Sequence, residues 1–266
     1  FNDTATTEIY TGLFSSAASD VYKRQTQRRP FSLRKLTDRK RTALEAAPGN
    51  GFQVLWLSDV PQRLRMARLL FRNGHLRLTL PEAYPTHKSI IDWEHDLSED
   101  RIPARAVGLD PMARRLMRWA LASHKRVNFL NRYAAGTLTP CIELDFIPAM
   151  ACAAHFILLA ERPARSVEDL MEAGRAVQRF WLTATRLNLQ FQPEMTPLIF
   201  SSYIRNGIEF TRQPTRDWLA RKLAARLDAI IAPGKIDNAV FMGRIGAGNA
   251  PMARSVRLPL EKLIFS

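Results

Sequence analysis

Few residues in this sequence have the types and spacing that would let the polypeptide itself carry chemistry. Its two cysteines, Cys141 and Cys152, form no C-x-x-C pair, and its five histidines stand apart: His75, His87, His95, His124 and His155. Metal sites and redox pairs need these residue types close together, so the sequence predicts no metal site and a reducing, cytoplasmic location. The glycine-rich GRIGAG (243–248) leads into an irregular loop rather than a helix, and so lacks the context of a dinucleotide-binding turn.

The chain is strongly basic, with 39 Lys and Arg against 25 Asp and Glu and a net charge of +14. Such an excess is compatible with nucleic acid, an anionic membrane surface or an anionic cofactor. Most arginines are spread through helical patterns, which favours solvated helix faces. The densest basic run (28–41) contains only Phe31 for base stacking, and the longest apolar stretch (147–160) is shorter than a membrane span. We therefore expect neither nucleic acid nor a membrane as partner.

Long helices alternate with isolated short strands along the chain. Apolar, β-branched runs predict strands over 52–59, 154–161, 189–197 and 239–246. Three- and four-residue spacing of apolar residues predicts helices over 36–47, 61–73, 89–97, 112–133, 167–187 and 215–231. CIELDF (141–146) fits either state. This pattern predicts a mixed fold of helices and strands without a linker that divides it.

The helix that begins after Ser166 has the clearest start signal in the sequence. Ser166 and Asp169 have the spacing of a capping box. Gly174 lies inside the same helix, where glycine costs about 1 kcal/mol relative to alanine. Its presence predicts the close approach of another backbone at that position.

Three segments resemble one branch of the flavin-dependent nitroreductase family. TQRRPF (26–31) is similar to its R-x-T-x-R-R-x-F signature, 174–193 to its core helix and following strand, and 241–264 to its C-terminal strand, loop and tail. This branch includes proteins fused to ThiF-type adenylating domains and labelled as molybdopterin-biosynthesis-like. The resemblance implies a nitroreductase-like α+β fold over 26–266, with a central, mostly antiparallel sheet flanked by long helices.

The resemblance also implies a cofactor, FMN, and the residues that hold it. The positions matching the family's phosphate site are Arg28, Arg29, Arg254, Ser255 and Arg257. The positions matching the loop beside the reactive edge of the flavin ring are Gln192, Glu194, Met195 and Thr196, and this loop lacks the glycines of many relatives. Because flavin carries the redox chemistry, no residue is assigned as catalytic.

The implied activity is an FMN-dependent oxidoreductase of unknown substrate, with NAD(P)H as a possible electron donor. The alternative is a non-catalytic flavin-binding domain, or a partner domain of a larger ThiF-type adenylating protein. Implied partners are a second copy of the chain or a ThiF-like domain.

The first 25 residues have a different origin in our interpretation. NDTATTEIY (2–10), SSAAS (15–19) and DVYKRQ (20–25) resemble translated sequencing-adapter DNA in the correct order. We expect residues 1–25 to be an adapter-derived, disordered artefact that replaces the natural start of the domain. The family's P-S-x-x-N-x-Q-P-W loop, which contributes to the flavin pocket, has no match in this sequence. We therefore expect 26–266 to be an N-terminally truncated domain.

Overall fold

The computed structural model describes residues 26–133, 136–232, 234–250 and 253–255. The predicted adapter segment, 1–25, and the predicted phosphate ligand Arg257 lie outside the described residues. For Arg254 and Ser255 the description covers the backbone alone.

A four-stranded antiparallel sheet forms the centre of the fold. Numbered along the chain, its strands are β1 (Phe52–Leu57), β5 (Ala154–Ala160), β6 (Gln190–Pro193) and β7 (Ala239–Gly246), and their order across the sheet is β1-β5-β7-β6. Short two-residue strands lie outside this sheet: β2 (Ile91–Asp92), β3 (Leu97–Ser98), β4 (Ile102–Pro103) and β8 (Arg254–Ser255). The α+β class with a central antiparallel sheet is therefore confirmed.

Helices cover both faces of the sheet, so β5 is buried along almost its whole length. Because side chains alternate between faces, Ile157 and Met242 join one core, with the helices Val60–Thr79, Thr196–Arg205 and Pro214–Ile231. Phe156 and Ile245 join the other core, with the helices Asp38–Ala46 and Val167–Arg186. Burial on both faces explains why these strands have continuous apolar sequences instead of alternating ones.

A group of shorter elements fills the region between β1 and β5 after the long helix Val60–Thr79. These elements are the helices Tyr84–Ser89, Pro111–Leu121, His124–Tyr133, Leu138–Pro140 and Ile147–Met150, and a π-helical stretch at Cys141–Phe146. They pack around a third apolar cluster that contains Ile91, Val107 and Leu109. CIELDF, which fitted either state in the sequence, is thus helical.

The predicted helix over 89–97 is wrong. Ile91 and Asp92 form β2, which pairs with β4. The Asp92 carboxylate accepts hydrogen bonds from the backbone N–H groups of Glu94 and His95 at 3.0 and 3.2 Å. These hydrogen bonds form a turn closed by the Asp92 side chain, and this turn replaces the helical hydrogen bonds that the segment would otherwise make.

The predicted continuous helix over 112–133 is interrupted at Ser123. One helix ends at Leu121, and the next begins at His124. The carbonyl of Ser123 accepts from the N–H of Val127 at 3.2 Å, which is the first turn of the second helix. Serine is favoured at helix starts, so the sequence contained a signal for this break.

The helix Val167–Arg186 begins with the predicted capping box. Ser166 accepts from the Asp169 N–H at 3.1 Å, and Asp169 accepts from the Ser166 N–H at the same distance. The expectation for Gly174 is wrong within the described residues, because a Cβ at that position would meet nothing within 4 Å. None of the helices in the described ranges is long and apolar enough to cross a membrane.

Candidate functional site

The structure brings the three segments that carry the family resemblance side by side at one edge of the sheet. Thr26 bridges to Phe191 of β6, and the backbone N–H of Gln27 donates to the Phe191 carbonyl at 3.1 Å. The Gln27 side chain donates to the carbonyl of Asn249, beyond β7, at 2.8 Å. Residues far apart in sequence therefore meet along the free edge of β6.

Three buried, charged side chains lie where β5, β6 and β7 meet. Nδ1 of His155 lies 2.7 Å from Oε2 of Glu194, and Nη1 of Arg244 donates to Oε1 of the same carboxylate at 3.3 Å. Nε2 of His155 lies 2.9 Å from the carbonyl oxygen of Ala149. Nη2 of Arg244 donates to the carbonyl of Arg28 at 2.6 Å. We call His155, Glu194 and Arg244 the charged trio.

The partners of His155 indicate that its ring is an imidazolium. A carboxylate and a carbonyl both accept hydrogen bonds, so both ring nitrogens must donate. Burial alone would lower the pKa of His155, but the Glu194 carboxylate opposes this and raises the pKa to about 10. Burial would likewise raise the pKa of Glu194, but His155 and Arg244 lower it below its usual value. The charged trio is therefore an ionised network without access to solvent.

A second carboxylate, Asp145, lies close enough to couple to these charges. Burial raises the pKa of Asp145 to about 6, and the nearby Arg77 guanidinium only partly opposes the shift. Its Oδ2 is buried without a hydrogen-bond donor among the described residues, and it packs so closely on Gly74 that no Cβ would fit there. Burial, with Asp145, also raises the pKa of the Cys141 thiol to about 12, so this cysteine stays a thiol.

Arg28 is the predicted site residue with the most perturbed surroundings. Burial, Arg77 and Arg244 together lower the pKa of Arg28 to about 10. The carbonyl of Arg28 is held by Arg244, whereas its guanidinium has no hydrogen-bond acceptor within the described ranges. An anion placed there would gain a desolvated cation as its partner.

A cavity of about 390 Å³ adjoins this guanidinium. Its walls come mainly from the shorter elements between β1 and β5, and Arg28 and Arg77 both line it. Of the residues predicted from sequence, Arg28 is the one that reaches this cavity among those described.

The remaining predicted residues divide between the sheet edge and the surface. Arg29 is exposed, and Gln192 lies in β6 opposite Arg244, with its side-chain oxygen buried and without a donor among the described residues. Glu194 belongs to the charged trio, and its backbone N–H donates to the Met242 carbonyl at 2.9 Å.

Met195 and Thr196 start the helix Thr196–Arg205 and are partly buried. In the tail, Arg254 and Ser255 form β8, which pairs with β3. Arg257 lies outside the described residues.

Sequence reasoning did not identify His155, Arg244, Asp145 or Arg77 as site residues. A signal was present for two of them, because His155 and Arg244 interrupt strands that are otherwise apolar. A lone ionisable residue in a buried strand requires a buried partner. Within the described ranges, no group of three or more His, Cys, Asp or Glu side chains could hold a metal ion.

No protein-family model matches the sequence, and no curated protein matches it. Solved structures with a similar course of the chain include an FMN-bound nitroreductase from Desulfitobacterium hafniense, with a TM-score of 0.47, 12% identity and coverage of 93% of this chain and 96% of that one. A BluB-like flavoprotein from Clostridium difficile also has a TM-score of 0.47, with 10% identity and coverage of 93% and 97%. The NADPH:FMN oxidoreductase from Vibrio harveyi has a TM-score of 0.46, with 10% identity and coverage of 93% and 75%.

The names of these three proteins describe flavoproteins or an enzyme that acts on a flavin. TM-scores below 0.5 and identities near 10% carry no inference about what this chain does. Its function must be argued from its own residues, above all from Arg28, whose guanidinium has no hydrogen-bond acceptor among the described residues where the three matching segments meet.

Proposed function

We propose that this chain is the FMN-binding domain of an oxidoreductase, with the flavin held where segments 26–31, 190–196 and 241–255 meet. The observation that carries this proposal is the Arg28 guanidinium, which is desolvated, lacks an acceptor among the described residues and lies at that junction. Arginine suits a phosphate because its planar fork donates two parallel hydrogen bonds.

The charge around the junction supports a phosphate as the missing partner. Three groups that carry positive charge, Arg28, Arg244 and His155, interact there with two carboxylates, Asp145 and Glu194. This excess of buried and partly buried positive charge is unfavourable without an anion. Arg29 on the same segment, and Arg254, Ser255 and Arg257 on the tail, would complete the phosphate site.

The loop after β6 supplies groups for the flavin ring. The N–H of Glu194 donates to the Met242 carbonyl, so the first backbone donors without an acceptor among the described residues are those of Met195 and Thr196. A helix of ten residues starts there, and the first N–H groups of a helix have no partner within it. The orphaned side-chain oxygen of Gln192 would accept a hydrogen bond from the ring. The residues present therefore fit FMN.

When bound, FMN would supply hydride or electron transfer, with NAD(P)H as the proposed donor and an acceptor yet to be identified. The chain's own residues would bind the phosphate, orient the ring and exclude water. The charged trio would hold the loop after β6 in place, because Glu194 in that loop is bonded to side chains of β5 and β7. A second copy or a ThiF-like domain is the proposed partner.

A flavin titration tests the binding proposal. We expect Arg28→Gln to weaken FMN binding by about 1–3 kcal/mol, the range for a hydrogen bond to a charged group. Riboflavin, which lacks the phosphate, should bind both proteins with similar affinity. Arg34→Gln, which changes an exposed arginine of the same basic run, serves as the matched control and should bind FMN like the unchanged chain. Equal losses for FMN and riboflavin would place Arg28 outside the phosphate site.

A second candidate, a non-catalytic flavin-binding or partner domain of a ThiF-type protein, is favoured by one observation. The loop that would face the reactive ring edge contains no glycine, and the Glu194 N–H is already paired with the Met242 carbonyl. NAD(P)H oxidation by the FMN-loaded full-length protein separates the candidates. Turnover supports the oxidoreductase, and tight FMN binding without turnover supports the partner domain.

A further inference from the structure

The cavity of about 390 Å³ is built mainly from parts of the chain that the family resemblance does not use. Its apolar walls include the following side chains: Leu80, Ile91, Val107, Leu109, Leu121 and Leu144. Its volume lies within the usual range for small-molecule sites, roughly 300–1,000 Å³. Such sites combine an apolar lining with a few polar groups that orient the ligand.

The polar groups at this cavity favour an anion. Arg77 lines the cavity, and its Nε is buried without a hydrogen-bond partner among the described residues. Arg28 forms part of the same wall. No aspartate or glutamate is among the described residues that line the cavity. Two arginines thus line a mainly apolar space that has no carboxylate among its described lining residues.

His87 adds a neutral hydrogen-bonding group to the same wall. Burial, together with the charge of Arg77, lowers the pKa of His87 to about 4, so its ring is uncharged at neutral pH. A neutral imidazole can still donate one hydrogen bond to an anion. His87 therefore adds no further positive charge but can help to orient a ligand beside Arg77.

We propose that this cavity binds an organic anion with an apolar body, such as an aromatic carboxylate or sulfonate, whose charged group pairs with Arg77. The aliphatic walls would bury the body, and the anion would accept the hydrogen bond for which Arg77 Nε has no acceptor among the described residues. This site goes beyond the proposed flavin function and does not depend on it. Arg28 lies between the two sites, whereas Arg77 lines the cavity and lies outside the three flavin-site segments.

Two fluorescent probes with the same apolar body test the proposal on the full chain. These are 1-anilinonaphthalene-8-sulfonate and its uncharged analogue N-phenyl-1-naphthylamine. We expect the unchanged chain to bind one equivalent of either probe. Arg77→Gln should weaken binding of the sulfonate at least tenfold and change binding of the neutral analogue less than twofold. Arg72→Gln, on an exposed position of the same helix, should change neither.

A second variant tests the location. Ala120 is buried and lines the cavity, so Ala120→Phe should fill the space and abolish binding of both probes. Its thermal unfolding would be recorded first. If Ala120→Phe does not fold, the proposal is tested by comparing the binding of the two probes to Arg77→Gln and Arg72→Gln.

Three results would overturn the proposal. Unchanged sulfonate binding by Arg77→Gln would remove the pairing with Arg77, and binding of the probes by folded Ala120→Phe would place them on another surface. The cavity would belong to the flavin site if Arg77→Gln or folded Ala120→Phe lost as much FMN affinity as sulfonate affinity. Failure of FMN to bind any variant would contradict the flavin proposal and leave this one standing.

Discussion

Glu194→Gln tests whether the charged trio is the ionised network that its geometry indicates. The substitution keeps the size of the side chain but removes the charge that faces both His155 and Arg244. All three side chains are almost fully buried, so water cannot replace the lost carboxylate. We expect a large loss of stability from a change of very few atoms.

The expected magnitude follows from two routes. Removing one partner of a buried ion pair costs about 3–5 kcal/mol. Independently, Glu194, with a contribution from Cys152, opposes the effect of burial and raises the pKa of His155 from 6.5 to about 10. At about 1.4 kcal/mol per unit, this shift corresponds to roughly 4–5 kcal/mol. We expect Glu194→Gln to lower the free energy of unfolding by about 3–5 kcal/mol near pH 6.

The pH dependence supplies a second readout. Because the folded-state pKa of His155 lies above its unfolded value, its stabilisation is present below pH 6.5 and is lost as the pH rises towards 10. Because the pKa of Glu194 is lowered, its stabilisation is present above its unfolded pKa of about 4.5 and is lost as the pH falls. The penalty of Glu194→Gln should therefore be greatest between about pH 5 and 6.5 and become smaller by pH 9.

Urea unfolding followed by tryptophan fluorescence measures both effects. Glu209→Gln, at an exposed position, is the matched control and should change stability by less than about 0.5 kcal/mol. A loss below about 1 kcal/mol at pH 6, or a penalty that does not change between pH 6 and 9, would refute the ionised trio.

Three further substitutions test local features of the fold by the same unfolding assay. Gly174→Ala should raise stability by up to about 1 kcal/mol, because the added Cβ meets nothing within 4 Å, and any loss would reveal a contact on that face. Gly243→Ala should cost about 1–3 kcal/mol, because its Cβ would lie 2.6 Å from the Gln192 carbonyl oxygen on the neighbouring strand; an unchanged midpoint would contradict this close approach. Asp145 has a raised folded-state pKa of about 6, so its contribution to stability should fall by roughly 2–3 kcal/mol as the pH rises from about 4 to above 6. In Asp145→Asn, the free energy of unfolding should not show this decrease with pH. If it decreases as in the unchanged chain, Asp145 does not titrate in this range.

The sequence by itself determined most of the regular elements and the fold class. The strands β1, β5, β6 and β7 and the capping box at Ser166 were predicted because their signals are local. Apolar runs identify buried strands, and a serine three residues before an aspartate identifies a helix start. Local signals failed where a side chain competed with the backbone, as Asp92 does in the segment predicted to be helical.

Only the tertiary structure decided how the charged residues are used. His155 and Arg244 meet Glu194 across 39 and 50 positions of sequence, and this proximity depends on the order and register of the strands. The same arrangement partly buries Arg28 while Arg29 stays exposed, although the two are neighbours in one basic run. Charge, and with it pKa, depends on burial and on partners from distant segments, which local periodicity does not encode. The sequence thus supplied the candidate cations, and the packing of the chain determined which of them could hold an anion.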